Sequence, residues 1–264
     1  MSSLSTLDHV AVELSADIIN TLRQATDVVV LTGPELSEES GVPVFQDGAT
    51  GLATRYYADE MTEQEASRSN RNRLWGWYEW RRAMMLRAQP SAAHHAIASM
   101  EALYQRVSVI TQCVDDLQER AGSQEVLYLN GRLTHAKCHR CGNVHEHPAD
   151  APKARSPNCD IPPPNCSLCD GPVRPGVVWL GEEPPADDWV QALRRVNQCD
   201  LLLSVGISEP RYPAAELVHI AAVRGTPVLQ ITPAPTALDR LANFNVRGNV
   251  GDALAALLNA LYSD

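Results

Sequence analysis

A chain of 264 residues with 44% hydrophobic content can bury one large α/β core, alone or with a small insertion. Its formal net charge of −10 and pI near 5.3 exclude the basic footprint that general nucleic-acid binding needs. There is no apolar run of the ~18 residues that a membrane span takes, and MSSLSTLDHVAVEL has no basic stretch leading into an apolar one. With no export signal and free-looking thiols, the chain reads as cytoplasmic.

In chain order, residues 8–24 carry a helical period in Val10, Val12, Leu14, Ile18, Ile19 and Leu22. A buried-strand run, Asp27 to Thr32, then ends in a turn at Gly33. Residues 47–70 are polar and weakly patterned, as in a loop with short helices. Residues 71–88 predict a long helix bearing three of the five tryptophans, and Ser91 is placed to cap another through Leu103. Further strands are expected at Val107–Thr111, Asp200–Val205 and Pro227–Thr232, each followed by a helical or capping segment, with a last helix over Gly251–Leu261. This alternation predicts a doubly wound, Rossmann-like parallel sheet.

Between its halves lie two Cys-x-x-Cys units, Cys138/Cys141 and Cys166/Cys169, separated by 24 residues. Each unit offers two thiolates from a tight knuckle, and two knuckles complete a tetrahedral zinc shell. Four sulfur ligands leave no position for water, so such a zinc holds structure and does no chemistry. Two unrelated thiol pairs or a disulfide are the alternatives. Cys159 lies between the pairs and could compete as a ligand, whereas Cys113 and Cys199 read as core thiols.

Residues 28–48, VVVLTGPELSEESGVPVFQDG, resemble the sirtuin signature in which a strand leads to GAG-I-S-x-x-SGIP-x-FR. Gly33, Ser37, Ser40, Gly41, Pro43 and Phe45 fall in register. PSAAHHAIASME (90–101) is similar to the family's PN-x-AH-x-AL helix, and ITQCVDDLQERAG (110–122) to TQNID-x-LH-x-x-AG. RPGVVWLGEEPP (174–185) resembles the RP-x-VV-x-FGE substrate loop, VGISEPRYPAA (205–215) the GTS-x-x-V-x-PAA segment, and Gly251-Asp252-Ala253 the G-x-A that meets adenine. With the knuckles, the resemblance spans residues 15–262 and identifies a divergent, bacterial-type member.

The resemblance implies a single sirtuin domain over 1–264, with a large lobe near 8–46, 90–131 and 176–264. A small lobe, near 47–89 and 132–175, would hold the zinc, and NAD would lie in the cleft between them. In active members the acyl-lysine oxygen attacks C1′ of the nicotinamide ribose, and a histidine then removes a ribose hydroxyl proton. The family's V-E-L-H-G run corresponds here to VLYLNGRL (126–133), which puts Asn130 in the histidine's place. A carboxamide can hold a hydroxyl but cannot take its proton. His135 is expected on the zinc-module surface, and His94 in helix packing.

The resemblance implies cofactor contacts at Gly33, Pro34, Glu35, Ser37, Phe45, Gln46, Gln112, Gly206, Ser208 and Ala253, and catalytic positions at Asn130 and Asp115. Several depart from the family. Pro34 removes a backbone N–H that could face the pyrophosphate. Glu35 adds a Cβ and a negative charge, and Gln46 removes a cation. Cys113 replaces the Asn of QNID and Ile207 the Thr of GTS. Substrate contacts are implied at Val177, Leu180, Gly181, Glu182 and Arg211. Tyr78-x-x-Arg81 resembles the pair with which succinyl- and malonyl-removing sirtuins clamp an acyl carboxylate, since i and i+3 share a helix face. The expected function is therefore weak or absent NAD-dependent protein lysine deacylation. The alternatives are an inactive binding module for nucleotide, peptide or protein, or an ADP-ribosyl transferase or NAD hydrolase. An acyl-lysine protein or peptide is the expected partner.

Overall fold

The computed structural model describes residues 12–42, 70–147, 154–179, 181–208 and 212–263. Six strands form a fully parallel sheet in the order β3-β2-β1-β7-β8-β9: β1 Asp27–Thr32, β2 Arg106–Thr111, β3 Val126–Tyr128, β7 Leu201–Val205, β8 Val228–Thr232 and β9 Phe244–Arg247. The central strands are apolar on both faces because helices cover both. Alternate residues divide accordingly: Val28 and Val30 enter one core layer, Val29 and Leu31 the other. Helices α1 (Ala16–Gln24), α4 (Ala92–Ser99) and α8 (Val250–Tyr262) supply the first layer; α6 (Ala186–Gln198) and α7 (Ala214–Val223) supply the second. Strand order reverses between β1 and β7, and at such a switch point the loops leaving the two strands diverge and open a crevice.

Two helix ends differ from expectation. The first helix starts at Ala16, because the Ser15 hydroxyl accepts from the Ile18 N–H at 3.3 Å and ends the preceding extended run. Val12 and Leu14 still pack on the core without being helical. Helix α4 ends at Ser99 and tightens into a 3₁₀ turn over Met100–Ala102. Its His94 is fully buried, with Nδ1 2.8 Å from the Ser91 hydroxyl, and burial lowers its pKa to about 4. The packing role expected of it holds.

The small lobe joins helix α3 (Arg71–Arg87) to a three-stranded antiparallel sheet, β5-β4-β6 (Val144–Glu146, Gly131–Cys138, Val173–Val177). Leu74, Trp77, Tyr78 and Met85 pack on Leu133, Val177 and Trp179, while Trp75 packs on Ala136, Cys138, Cys166 and Val173. The helix approaches so closely at Gly76 that a Cβ there would sit 1.9 Å from the Cys159 carbonyl oxygen. Gly76→Ala must therefore push helix and loop apart. A loss of about 3 kcal/mol in denaturant unfolding is expected, an overpacking cost.

Candidate active site and metal centre

At the switch point two backbones meet. The Gly33 N–H donates to the Val205 carbonyl at 2.8 Å, and a Cβ on Gly33 would lie 2.0 Å from the Gly206 carbonyl oxygen. Gly206 is left-handed, at φ +64°, and a Cβ there would meet the Glu35 Cβ at 3.1 Å. These two glycines let the loops leaving β1 and β7 pack backbone against backbone at the switch point. Pro34 is exposed and precedes the single turn of α2 (Glu35–Glu38). Glu35 is half-buried, and one of its oxygens is buried with no hydrogen-bond partner. Burial raises its pKa despite a bond to the Ser208 side chain, and Glu38 raises it further.

Beyond the two glycines, the Ser37 hydroxyl donates to the Asp115 carboxylate at 2.7 Å, and the Leu117 N–H caps its other oxygen at 3.2 Å. Burial raises the pKa of Asp115, and these donors oppose the shift. The Cys113 thiol points at the Gly33 carbonyl, 3.3 Å away, and burial raises its pKa to about 12. It is a neutral thiol that packs the turn rather than a nucleophile. The Asn130 side-chain N–H donates to the Gln112 backbone carbonyl at 2.7 Å, while the Asn130 backbone carbonyl accepts from the Val178 N–H at 2.8 Å. Asn130 thus ties together the β2 loop, the β3–β4 corner and the strand leading to Trp179. The Gln112 Oε1 is buried and lacks a hydrogen-bond partner, a polar atom that a ligand in the crevice can satisfy.

Ser37 thus contacts Asp115, Asn130 contacts Gln112, and Ser208 contacts Glu35, all at the loops that leave β1, β2 and β7. Ala253 is fully buried in the large core, and two residues before it the Gly251 N–H donates to Glu39 at 2.9 Å. Val177 is buried against α3. Phe45, Gln46, Leu180 and Arg211 lie outside the described residues.

On α3, Tyr78 is buried and Arg81 half-buried, with the guanidinium 5.1 Å from the Trp77 ring centre. Burial raises the Tyr78 pKa, and the Arg81 charge opposes that rise. Burial lowers the Arg81 pKa, and the charges of Tyr78 and Asp115 oppose that shift. Glu182 is bound instead to Arg174 at 3.0 Å and to the Trp179 N–H at 2.9 Å, and Arg174 stacks on the Trp179 ring. It shapes the loop and offers no free carboxylate. Sequence reading missed Arg174 and Trp179; the seven residues between Arg174 and Glu182 carry no period that pairs them.

The four cysteines meet at one point, all sulfurs within 4.8 Å of one another. Cys138 and Cys169 are 3.4 Å apart and Cys141 and Cys166 3.7 Å. A tetrahedron of zinc–sulfur bonds of about 2.3 Å has edges of about 3.8 Å, so the set fits zinc. Backbone N–H groups of Arg140 and Leu168 point at Cys138 and Cys166 sulfurs, at 3.3 and 3.4 Å, and stabilise thiolates. This is a structural four-cysteine zinc site. Cys159, with its sulfur 3.6 Å from the Ser156 hydroxyl, is not part of the cluster. His135 is exposed on β4 and bonds Thr134, as expected of a surface residue.

A family model for the Sir2 family matches residues 33–213. A relative from Methylococcus capsulatus described as an NAD-dependent protein deacylase is 43% identical over 249 residues, 94% of this chain and 98% of its own. A solved Sir2 homolog–NAD complex superposes with a TM-score of 0.86 at 36% identity, covering 96% of both chains. Sir2Tm bound to a propionylated peptide aligns with a TM-score of 0.77 at 26% identity, over 92% of this chain and 96% of that one.

Proposed function

This chain belongs to the Sir2 family, and on that footing we propose that it is an NAD-dependent protein lysine deacylase slowed at two points, the phosphate site and the proton acceptor. The observation that carries the reading is the meeting of loops at the switch point: the close Gly33–Gly206 contact, and Asn130 bonded to the Gln112 carbonyl. When bound, NAD supplies the sugar carbon that receives the acyl oxygen and the nicotinamide that leaves. Gly33 and Gly206 let the two loops that would meet the phosphates close on each other. Ser37 and Asp115 hold the turn that carries Cys113 and Gln112. Asn130 can orient a ribose hydroxyl but leaves its proton in place, because a carboxamide does not ionise near neutrality. Tyr78 and Arg81 flank the acyl end, and a buried guanidinium there favours succinyl or malonyl over acetyl groups.

Glu35 sets the affinity. An ionised carboxylate at the phosphate site repels two phosphates, and Gln46 offers them no cation. Glu35→Gly combined with Gln46→Arg is expected to tighten NAD binding by roughly tenfold and to steepen its salt dependence, as read by calorimetric titration. Low-micromolar binding by the unmodified protein would contradict this. The pH dependence has a definite sign. The Glu35 pKa is raised, so the carboxylate takes up its proton early as pH falls. NAD affinity should therefore increase as pH falls toward the raised Glu35 pKa, and Glu35→Gln should flatten that slope.

The same carboxyl supports a second reading, a binding module for a peptide, nucleotide or partner that has given up NAD turnover. Incubation with NAD and an acyl-lysine peptide separates the two: nicotinamide release supports the enzyme, and its absence at saturating NAD supports the module.

A further inference from the structure

Beside the substrate loop stands an aromatic pair that the reaction does not use. The rings of Trp189, in the first turn of α6, and Tyr212, just before α7, meet edge to face with centres 5.9 Å apart. Tyr212 is 61% exposed and the adjacent Val190 60%, large apolar groups left in water. The Tyr212 hydroxyl donates to a Glu183 carboxylate oxygen at 3.2 Å, and the charges of Glu183 and Glu216 both bear on it. Trp189 and Glu183 thus fix the largely exposed Tyr212 ring, with the Glu183 carboxylate at its hydroxyl and Glu216 in the first turn of α7, four residues on.

Resting on the acyl-lysine reading above, we propose that Tyr212, Glu183 and Glu216 form a subsite for a basic residue, preferably arginine, flanking the acyl-lysine of the substrate protein. Both anchors adjoin the assigned substrate loops in the chain: Glu183 follows Gly181 and Glu182, and Tyr212 follows Arg211. A planar guanidinium stacks on the exposed phenol ring and turns its N–H groups to the carboxylates, a geometry that a lysine ammonium matches less well. The charge argument points the same way. An acylated lysine has lost its own positive charge, and a succinylated one carries a negative charge. A protein of net charge −10 can therefore attract its substrate electrostatically only through the residues around the modified one.

The test is a set of acyl-lysine peptides in which alanine is replaced by arginine at successive positions on either side of the acyl-lysine, with binding read by fluorescence anisotropy. Arginine at one or two adjacent positions should tighten binding roughly 5- to 10-fold, with lysine gaining less, and the gain should shrink with added salt. Tyr212→Ala, and separately Glu183→Gln with Glu216→Gln, should abolish the gain and leave the alanine-flanked peptide unchanged. Equal affinity for every peptide overturns the subsite while leaving the acyl-lysine reading intact. A gain that survives both variants also overturns it. Failure of every acyl-lysine peptide to bind overturns both.

Discussion

Asn130→His is expected to raise lysine deacylation by roughly 10²–10⁴, the usual contribution of a positioned general base. The geometry favours a working imidazole. The Gln112 carbonyl that now accepts from the asparagine amide at 2.7 Å can accept a ring N–H instead. That bond fixes the tautomer and leaves the second nitrogen basic and aimed into the crevice. Release of nicotinamide needs only an aligned acyl oxygen and a departing base, so it survives the asparagine. The unmodified protein should therefore show nicotinamide exchange or slow NAD cleavage with little deacylated peptide. The histidine variant should convert that same flux into product. The effect should be largest when Glu35→Gly and Gln46→Arg are present too, because binding and proton transfer are successive requirements. Succinyl-lysine peptides are the substrates of choice, given Tyr78 and Arg81. Rapid deacylation by the unmodified protein, unaffected by the histidine, would show that another group takes the proton.

Removing the zinc is expected to unfold the small lobe while the parallel sheet stays folded. Structural zinc in small modules contributes about 10–16 kcal/mol of apparent binding free energy at neutral pH. The knuckle end of the lobe has only a small core, Trp75, Ala136 and Val173 packed around Cys138 and Cys166 themselves. Once the metal leaves, thiolates packed this closely repel or protonate, and the knuckles have no other reason to meet. Chelation, or Cys169→Ser, should shift tryptophan fluorescence, through Trp75 and its neighbours on α3, and split thermal unfolding into two transitions. Freshly purified protein holding less than about half an equivalent of zinc, or a chelated protein with unchanged fluorescence, would count against the assignment.

The sheet was legible in the chain because its central strands are buried on both faces, which forces near-continuous apolar runs such as Val28–Leu31 and Leu201–Leu203. The zinc ligands were legible for a different reason: the knuckle spacing is short and local, so the sulfurs converge whatever surrounds them. Short or half-exposed strands left no such mark. Phe244–Arg247 has four residues of mixed burial, and β4 and β6 exist because they pair across more than 30 residues of intervening chain. Motif order brought the chain to its family and to Asn130, but not to what Asn130 touches. The direction of its amide toward Gln112 and the Arg174–Glu182–Trp179 brace are tertiary facts. So is the half-buried setting of the Glu35 carboxyl beside Ser208 and Gly206. Sequence records which groups a chain carries and their local period. A group's charge state and hydrogen-bond partner depend on solvent exclusion and on atoms far along the chain, and both exist only after β1 and β7 have brought their loops together.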